Sequence, residues 1–493
     1  MPEEYLVFKG GIYMELVNKG TECPFLCWSC RKKFFSFDCP HNSIPFFDTI
    51  LFEKLIQTMI KKATQIKTDG KLVSARPAVK AEIPGTIFLA KENAGCPKAD
   101  VLVKEGDHVN LGQTIGMRHA SGYDEPILAT CSGTYSGLEK HYYRNGKLTN
   151  FLKIENDGLD TYDESVRERS DEEIASLSKE DIIQILKDRS VTGLGGSSFP
   201  TYVKLDTGKN IGTILVNAVE CEPYVCADSL LIRDEFDSVV GGIKTVMQAL
   251  DCHDARICIR KKDVDLMNFC ISGLNELGEH DIVVCPVKNF YPQGWEPALI
   301  KSALNLEMEE GMVPEDYGVM SFNVSTFWAI WKAVKYNLPV YERYVSVSGD
   351  GINTPTNFIA RVGTQASSLI GQCGGFKGDK DKIVVLGGPM SGTSIQKDDG
   401  IITKGVACLY VADSVEYKEE TCIRCGSCVM SCPVHLQPVS IMNAMKSMPV
   451  DKDKVKQLEP LKCIECGLCT YACTCGINVM DYVKRAKVVA KLK

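Results

Sequence analysis

The apolar positions of the chain change period along its length, and those changes divide it into segments. Between 99 and 117, short apolar steps alternate with turn residues, as in Val101-Leu-Val-Lys-Glu-Gly106-Asp107-His-Val109-Asn-Leu-Gly112. Such a pattern predicts brief β-strands joined by tight turns. From 178 the period becomes helical, with Ser178-Lys-Glu-Asp181 as a capping box ahead of Ile182, Ile183, Ile185 and Leu186. Thr213-Ile-Leu-Val-Asn217 then reads as a short strand. Strand-like stretches at 255–260 and 281–287 alternate with helix-like ones at 264–277 and 296–304. That alternation predicts α/β units around a mostly parallel sheet. Between 341 and 413 a period of two returns, at 344–348 and 383–386, with Gly-rich turns between.

A chain of 493 residues is too long for one core. The predicted fold class is multidomain α/β and α+β. The boundaries fall at 1–75 (N-terminal segment), 76–157 (β-module), 178–340 (α/β domain), 341–415 (strand-rich module) and 416–493 (Cys-rich, helical). The apolar fraction of 44% is that of a soluble globular protein. A net charge of −7 lacks the basic footprint of nucleic-acid binding. No run of 18 apolar residues occurs, and the start, Met1-Pro2-Glu3-Glu4, is not a secretory signal. The expectation is a cytosolic protein whose membrane contact comes through partners.

Cysteine changes the picture most. There are 23, many spaced Cys-x-x-Cys, and in a reducing compartment such residues are metal ligands rather than disulfides. Residues 422–432 place Cys422, Cys425, Cys428 and Cys432 in the spacing x2, x2, x3, and residues 463–473 repeat it with Cys463, Cys466, Cys469 and Cys473. Bacterial two-cluster ferredoxins use this run, with the fourth Cys of each ligating the other cluster. The expected sets are therefore Cys422, Cys425, Cys428 and Cys473 for one [4Fe–4S] cluster and Cys463, Cys466, Cys469 and Cys432 for the other. Paired structural zinc is the alternative, but it favours two Cys-x-x-Cys pairs over this triple spacing. The second run continues Cys473-Thr474-Cys475 where the first has Cys432-Pro433. Cys475 thus competes with Cys473, which alone keeps the x3 spacing.

The α/β segment carries a second chemistry. Gly193-Leu-Gly195-Gly196-Ser197-Ser198-Phe199-Pro200-Thr201, with Lys204 close behind, can present backbone N–H groups to phosphate oxygens. A lone glycine loop is also an ordinary turn. The strand ending at Asn217 and running into Glu220-Cys221-Glu222-Pro223-Tyr224 adds weight. Acidic side chains at the carboxyl end of a strand accept hydrogen bonds from ribose hydroxyls, although a single Glu is as readily a solvated one. Asn289-Phe-Tyr291-Pro-Gln293-Gly294-Trp-Glu296 and Asn323-Val324-Ser325-Thr326 follow.

Together with Phe8-Lys9-Gly10-Gly11-Ile12, Gly387-Gly-Pro-Met390 and both cysteine runs, these motifs resemble the flavoprotein subunit of respiratory complex I. They are closer still to the RnfC family, the peripheral subunit of the Rnf electron-transport complex. The resemblance covers most of 76–493 in order. It implies FMN over Gly193, Gly195, Gly196, Phe199 and Thr201 and the Asn217 and Asn323–Thr326 regions, and NAD(H) near Lys204, Glu222 and Glu296. Glu220, Tyr291 and Gly294 belong to the same motifs. It also implies a barrel-sandwich module at 76–157, a β-grasp (SLBB-like) module at 341–415, and membrane redox subunits and ferredoxin as partners on the cytoplasmic face of the membrane. Ser197-Ser198 stand where the family usually has Ala-Gly, and Trp295 where a small or acidic residue is common.

NADH would then deliver hydride to FMN, which releases electrons singly to the clusters. No acid–base or nucleophilic catalytic residue is required. A flavin-free electron relay, or a soluble reductase of the cobalamin-reductase or proline-reductase-associated type, are the alternatives. The barrel-sandwich hairpin, Ala129-Thr-Cys131-Ser-Gly133-Thr, has no carrier lysine, so it is structural. Finally, Cys23, Cys27, Cys30 and Cys39 with His41 fit zinc, a third cluster or no metal. The helix-like run 49–66 would offer a partner surface.

Overall fold

A computed structural model describes residues 76–93, 95–414 and 419–492, all within the unit Ile60–Lys493. The Phe8–Ile12 motif, the cysteines from Cys23 to Cys39 with His41, and the run 49–66 lie outside the described residues.

The first described strand, β1 (Ala78–Lys80), is followed by seven that make two facing sheets: β2 (Thr86–Ala90), β3 (Lys98–Val101), β4 (His108–Val109), β5 (Thr114–His119), β6 (Asp124–Leu128), β7 (Gly133–Tyr142) and β8 (Leu148–Asn156). One sheet has the order β2-β8-β7-β4 and the other β3-β5-β6. Ile87, Val109, Ile115, Ile127, Leu152 and Ile154 fill the space between them, as the alternating pattern requires of a half-buried strand. Cys131 is fully buried in this core.

Two short helices, α1 (Asp171–Ala175) and α2 (Lys179–Asp188), each open on a capping box, from Ser170 and Ser178. After α3 (Thr201–Leu205) comes the α/β domain: β9 (Thr213–Asn217), α4 (Ala227–Asp234), α5 (Phe236–Leu250), β10 (Ala255–Arg260), α6 (Val264–Leu277), β11 (Ile282–Val287), α7 (Glu296–Leu304), β12 (Val319–Asn323) and α8 (Val324–Tyr336). Its four strands are all parallel, in the order β11-β10-β9-β12. Ile214, Val216, Ile257 and Ile259 face one way, into a core with α5, α6 and α8. Leu215 and Cys258 face the other way, against Leu299 and Ile300 of α7. A sheet covered on both faces accounts for the nearly continuous apolar runs of these strands.

The third module contains β13 (Glu342–Ser348), β14 (Thr356–Arg361), α9 (Ala366–Gln372), β15 (Lys382–Leu386), β16 (Thr393–Ile395) and β17 (Cys408–Asp413). The sheet order is β1-β14-β13-β17-β15-β16. Thus β1 pairs in parallel with β14, Ala78 opposite Asn357, and stands apart from the strands that directly follow it. A buried ionic network clamps three modules around the start of the glycine loop. Arg118 donates to Glu125 at 2.9 Å, Ser190 donates to Glu125 at 3.1 Å, and Lys404 donates to the Ser190 carbonyl at 2.6 Å.

The tail is helical: α10 (Ser427–Met430), α11 (Pro438–Lys446), α12 (Lys452–Gln457), α13 (Leu468–Tyr471) and α14 (Val479–Lys491). Its two halves repeat one backbone. Arg424 and Glu465 have φ of 57° and 56°, Gly426 and Gly467 78° and 79°, and His435 and Gly476 55° and 63°. Each pair is separated by the spacing that relates Cys422 to Cys463. No helix of the described residues is long and apolar enough to cross a membrane.

Candidate functional site

The strand order reverses between β9 and β12, and in open α/β sheets ligands bind outside the carboxyl ends of the strands at such a point. The glycine loop lies there. Its ends are tied together by the Gly193 N–H to the Phe199 carbonyl at 2.8 Å and the Ser198 N–H to the Gly193 carbonyl at 3.0 Å. The Leu194 N–H donates to Thr326 Oγ1 at 3.0 Å, which fixes the loop on the start of α8. Gly195 packs so closely on Asn323 that a Cβ would come within 2.8 Å of the Asn323 Cβ. The N–H groups of Gly195, Gly196 and Ser197 meet no acceptor among the described residues. The buried Thr201 hydroxyl has no partner either. Such a cradle suits the phosphate and polar edges of a flavin nucleotide.

Around it, Asn217 donates to the Gly294 carbonyl at 2.9 Å, and the Asn323 amide donates to Asp228 at 2.7 Å. Ser325 Oγ donates to the other Asp228 oxygen at 2.7 Å. Burial, with Glu220 nearby, pushes the Asp228 carboxyl up to about 6. Asp228 is thus a positioning residue that sequence reasoning missed; its only local signal is an acid in the first turn of α4. Lys204 and Glu296 pair at 2.8 Å, and Lys204 also donates to the Ser321 carbonyl at 2.8 Å. Phe199 is half exposed on the loop. Ser198 Oγ lies 3.5 Å from an Arg144 nitrogen that also donates to the Gly405 carbonyl at 3.4 Å.

Three of the expected residues sit elsewhere. Glu220 is buried and accepts from the Asp228 N–H at 2.9 Å and the Ser229 hydroxyl at 3.0 Å, which caps α4. Glu222 reaches the Gly387-Gly-Pro-Met390 loop, where it accepts from the Met390 and Ser391 N–H groups at 2.7 and 3.1 Å and from Ser391 Oγ at 3.1 Å. Gly388 allows this approach, since a Cβ there would meet Glu222 Cγ at 2.1 Å. Burial raises the Glu222 carboxyl above its ordinary range. Tyr291 donates to the Cys466 carbonyl at 2.9 Å. Burial, with Glu222 beside it, pushes the Tyr291 phenol far up, so it remains a donor.

Tyr291, Met390 and Leu468 form one apolar cluster, against which Cys221 and Cys466 pack. Cys221 in turn accepts from the Gly294 N–H at 3.5 Å. A chain of contacts therefore runs from the mouth of the parallel sheet to the second cysteine run.

Cys422, Cys425, Cys428 and Cys473 line one cavity, with Val439, Met442, Ile477 and Val479 as its apolar walls. Cys475 lines it too. Cys432 lies near Cys463, Cys466 and Cys469, and Cys463 near Cys466 and Cys469; Cys428 of the first run also approaches Cys469. Cys473 Sγ accepts the Ile477 N–H at 3.4 Å, as Cys432 Sγ accepts the Leu436 N–H at 3.3 Å. Cys473 and Cys432 therefore hold equivalent places in the two halves. An apolar cavity lined by five cysteines can offer the four thiolates that an iron–sulfur cube needs.

Three family models match the chain. The family described as the Nuo51 FMN-binding domain matches residues 186–332. The 4Fe-4S dicluster domain matches 414–474, and the RnfC barrel sandwich hybrid domain matches 60–159. The C component of the Na(+)-translocating ferredoxin:NAD(+) oxidoreductase complex of Acetobacterium woodii is 33% identical over 69% of this chain and 76% of its own length. The corresponding component of the proton-translocating ferredoxin:NAD(+) oxidoreductase complex of Clostridium ljungdahlii is 32% identical over 75% of this chain and 80% of its own. Among solved structures, a NAD+-reducing [NiFe]-hydrogenase in the H2-reduced state has a TM-score of 0.47 and 16% identity, covering 64% of this chain and 63% of that one. The expected multidomain fold, with barrel-sandwich, flavin-binding and dicluster domains, is borne out, and the chain belongs to the RnfC family.

Proposed function

We propose that the chain passes electrons between NAD(H) and two [4Fe–4S] clusters by way of FMN, as the peripheral subunit of an ion-translocating complex that exchanges electrons with ferredoxin. The observation that carries this reading is the Tyr291–Met390–Leu468 junction, which joins the nucleotide-binding fold to one of two thiolate sets. When bound, FMN converts a two-electron hydride into single electrons that the clusters accept in turn.

The residues divide the work. Gly195, Gly196, Ser197 and Thr201 would hold the flavin's phosphate and polar edges, and Asn217 and Asn323 flank the ring. The Lys204–Glu296 pair stands where a dinucleotide's phosphate and hydroxyls would enter, and binding would exchange that pair's partners. Glu222 fastens the β-grasp loop over the junction and so shields it from water. Cys463, Cys466, Cys469 and Cys432 would hold the cluster nearer the flavin, because the Cys466 carbonyl is the one that Tyr291 reaches. Cys422, Cys425, Cys428 and Cys473 would hold the outer one, with Cys425 exposed for exchange with a partner.

A flavin-free relay is the second reading, favoured by the Ser198–Arg144 contact at the loop and by the occupied Glu222 carboxylate. The test is anaerobic purification with iron, labile sulfide, zinc and flavin quantified, followed by NADH titration watched by electron paramagnetic resonance. Flavin near one per chain and cluster signals raised by NADH support the proposal. Clusters that NADH leaves oxidised in flavin-supplied protein select the relay. Zinc without labile sulfide overturns both.

A further inference from the structure

Strands β10 and β11 are parallel neighbours, and Cys258 stands directly opposite Cys285 in their register. Both side chains face the α7 side of the sheet, in the cluster that includes Val287, Leu299 and Ile300. Adjacent strands lie about 4.8 Å apart, inside the Cα separation of about 4.4–6.8 Å that a disulfide bridges. The Cys258 thiol donates to the Arg256 carbonyl at 3.6 Å, on its own strand. Cys258 is fully buried. Cys285 is half-buried on β11, the strand at the edge of the sheet.

The electrostatics make the two sulfurs unequal. The neighbouring Cys258, with Arg256 and Lys261 nearby, holds Cys285 down to about 7 against the effect of burial. Cys258 is pushed well up. Burial also raises Cys131 and Cys270 to about 12 and Cys373 to about 11, so those three behave as small apolar side chains. An accessible sulfur with thiolate character beside a buried second thiol is the arrangement of an attacking and a resolving cysteine.

We infer that Cys285 and Cys258 are a modification site that takes low-molecular-weight disulfides and closes into a cross-strand disulfide. The Cys285 thiolate attacks one sulfur of R–S–S–R, forming Cys285–S–S–R and releasing the first RS−. Cys258 then gives its proton to solvent and attacks Cys285 Sγ, releasing the second RS−. Two cysteine sulfurs are oxidised, one small disulfide is reduced to two thiols, and no other reactant is needed. β11 leads directly into the loop that carries Tyr291, so the closed pair tethers the sheet edge from which that loop departs. Two cysteines packed as inert apolar filler are the alternative.

The full chain, kept anaerobic so that any clusters survive, is incubated with glutathione disulfide, quenched by alkylation and mapped by mass spectrometry. The expected result is a Cys258–Cys285 cross-link, formed before Cys131, Cys270 or Cys373 changes. Cys258→Ser, or Cys258→Ala if the serine variant fails to fold, should accumulate a stable glutathione adduct on Cys285. Cys285→Ser should leave Cys258 unmodified. A wild-type pair that stays reduced while other cysteines react overturns the inference. So does a Cys258 variant with no adduct at Cys285, or an adduct on Cys258 in Cys285→Ser.

Discussion

The two halves of the tail offer a matched perturbation. Gly426 and Gly467 occupy equivalent turns with φ of +78° and +79°. Alanine at either position carries the same left-handed strain, about 1–2 kcal/mol for a residue with a Cβ. Only their surroundings differ. Nothing lies within 4 Å of a Cβ at Gly426, whereas at Gly467 it would stand 2.4 Å from the Met390 carbonyl oxygen. The backbone fixes the Cβ and the Met390 oxygen is itself main-chain, so no rotamer change relieves the contact. The tail and the Gly387–Met390 loop must part by about 0.6 Å before the approach reaches even 3.0 Å. Overpacking of this kind costs about 1–3 kcal/mol, and here it falls on the junction with Tyr291. Gly467→Ala should therefore unfold more easily than Gly426→Ala by that amount in a denaturant titration. In stopped-flow mixing with NADH it should reduce its clusters more slowly, while the flavin is reduced at the wild-type rate. Iron and labile sulfide contents, measured for both, separate this from failed cluster assembly. Equal stabilities and equal cluster-reduction rates in the two variants would refute the role given to the junction.

Three further outcomes follow from the same geometry. Cys473→Ser should lose close to half the iron and labile sulfide of the wild type, whereas Cys475→Ser should keep both, because Cys473 shares the place of Cys432; the reverse pattern would move the ligand to Cys475. Asp228→Asn turns an amide toward the Asn323 amide and leaves a buried donor unmet, at about 1–3 kcal/mol, so flavin supplied to the variant should be lost on gel filtration sooner than from the wild type. The Glu222 carboxyl is held above its ordinary range, so the native chain keeps a proton there that the unfolded chain releases. Stability should therefore fall as pH rises from the ordinary value through the raised one. Glu222→Gln can still accept both N–H groups through one oxygen, and should flatten that slope in urea titrations at about pH 5 and about pH 8; an unchanged slope would assign the titration elsewhere.

Much of the fold was legible because its local signals agree. The bounds of β9, β10, α6 and α7 fall where the periods and flanking turns place them, and the Ser178 capping box opens α2. Long-range contact escaped. Nothing local to Ala78–Lys80 tells which sheet receives it, since the partner strand, Thr356–Arg361, lies far along the chain. Glu222 reads as a ligand-facing acid because the loop that occupies it is equally remote. The Gly387-Gly-Pro-Met390 motif was visible, but its fit over a carboxylate depends on Gly388 lacking a Cβ, which sequence alone does not show. The division of the cysteines was the most accessible feature. Spacing alone proposes the crossed sets; Cys422, Cys425, Cys428 and Cys473 line one cavity, together with Cys475.

The strand Ala78–Lys80 bears on how the polypeptide is made. Its partner leaves the ribosome long after it does, once the barrel-sandwich and the parallel domain have been synthesised. Until then β1 must wait, and the six-stranded sheet cannot be completed. A fragment starting at 341 would present Thr356–Arg361 as a bare sheet margin, a template for another chain. Dissection of this protein should therefore carry the early strand along with the late module, by linker fusion or by co-expression of the two pieces.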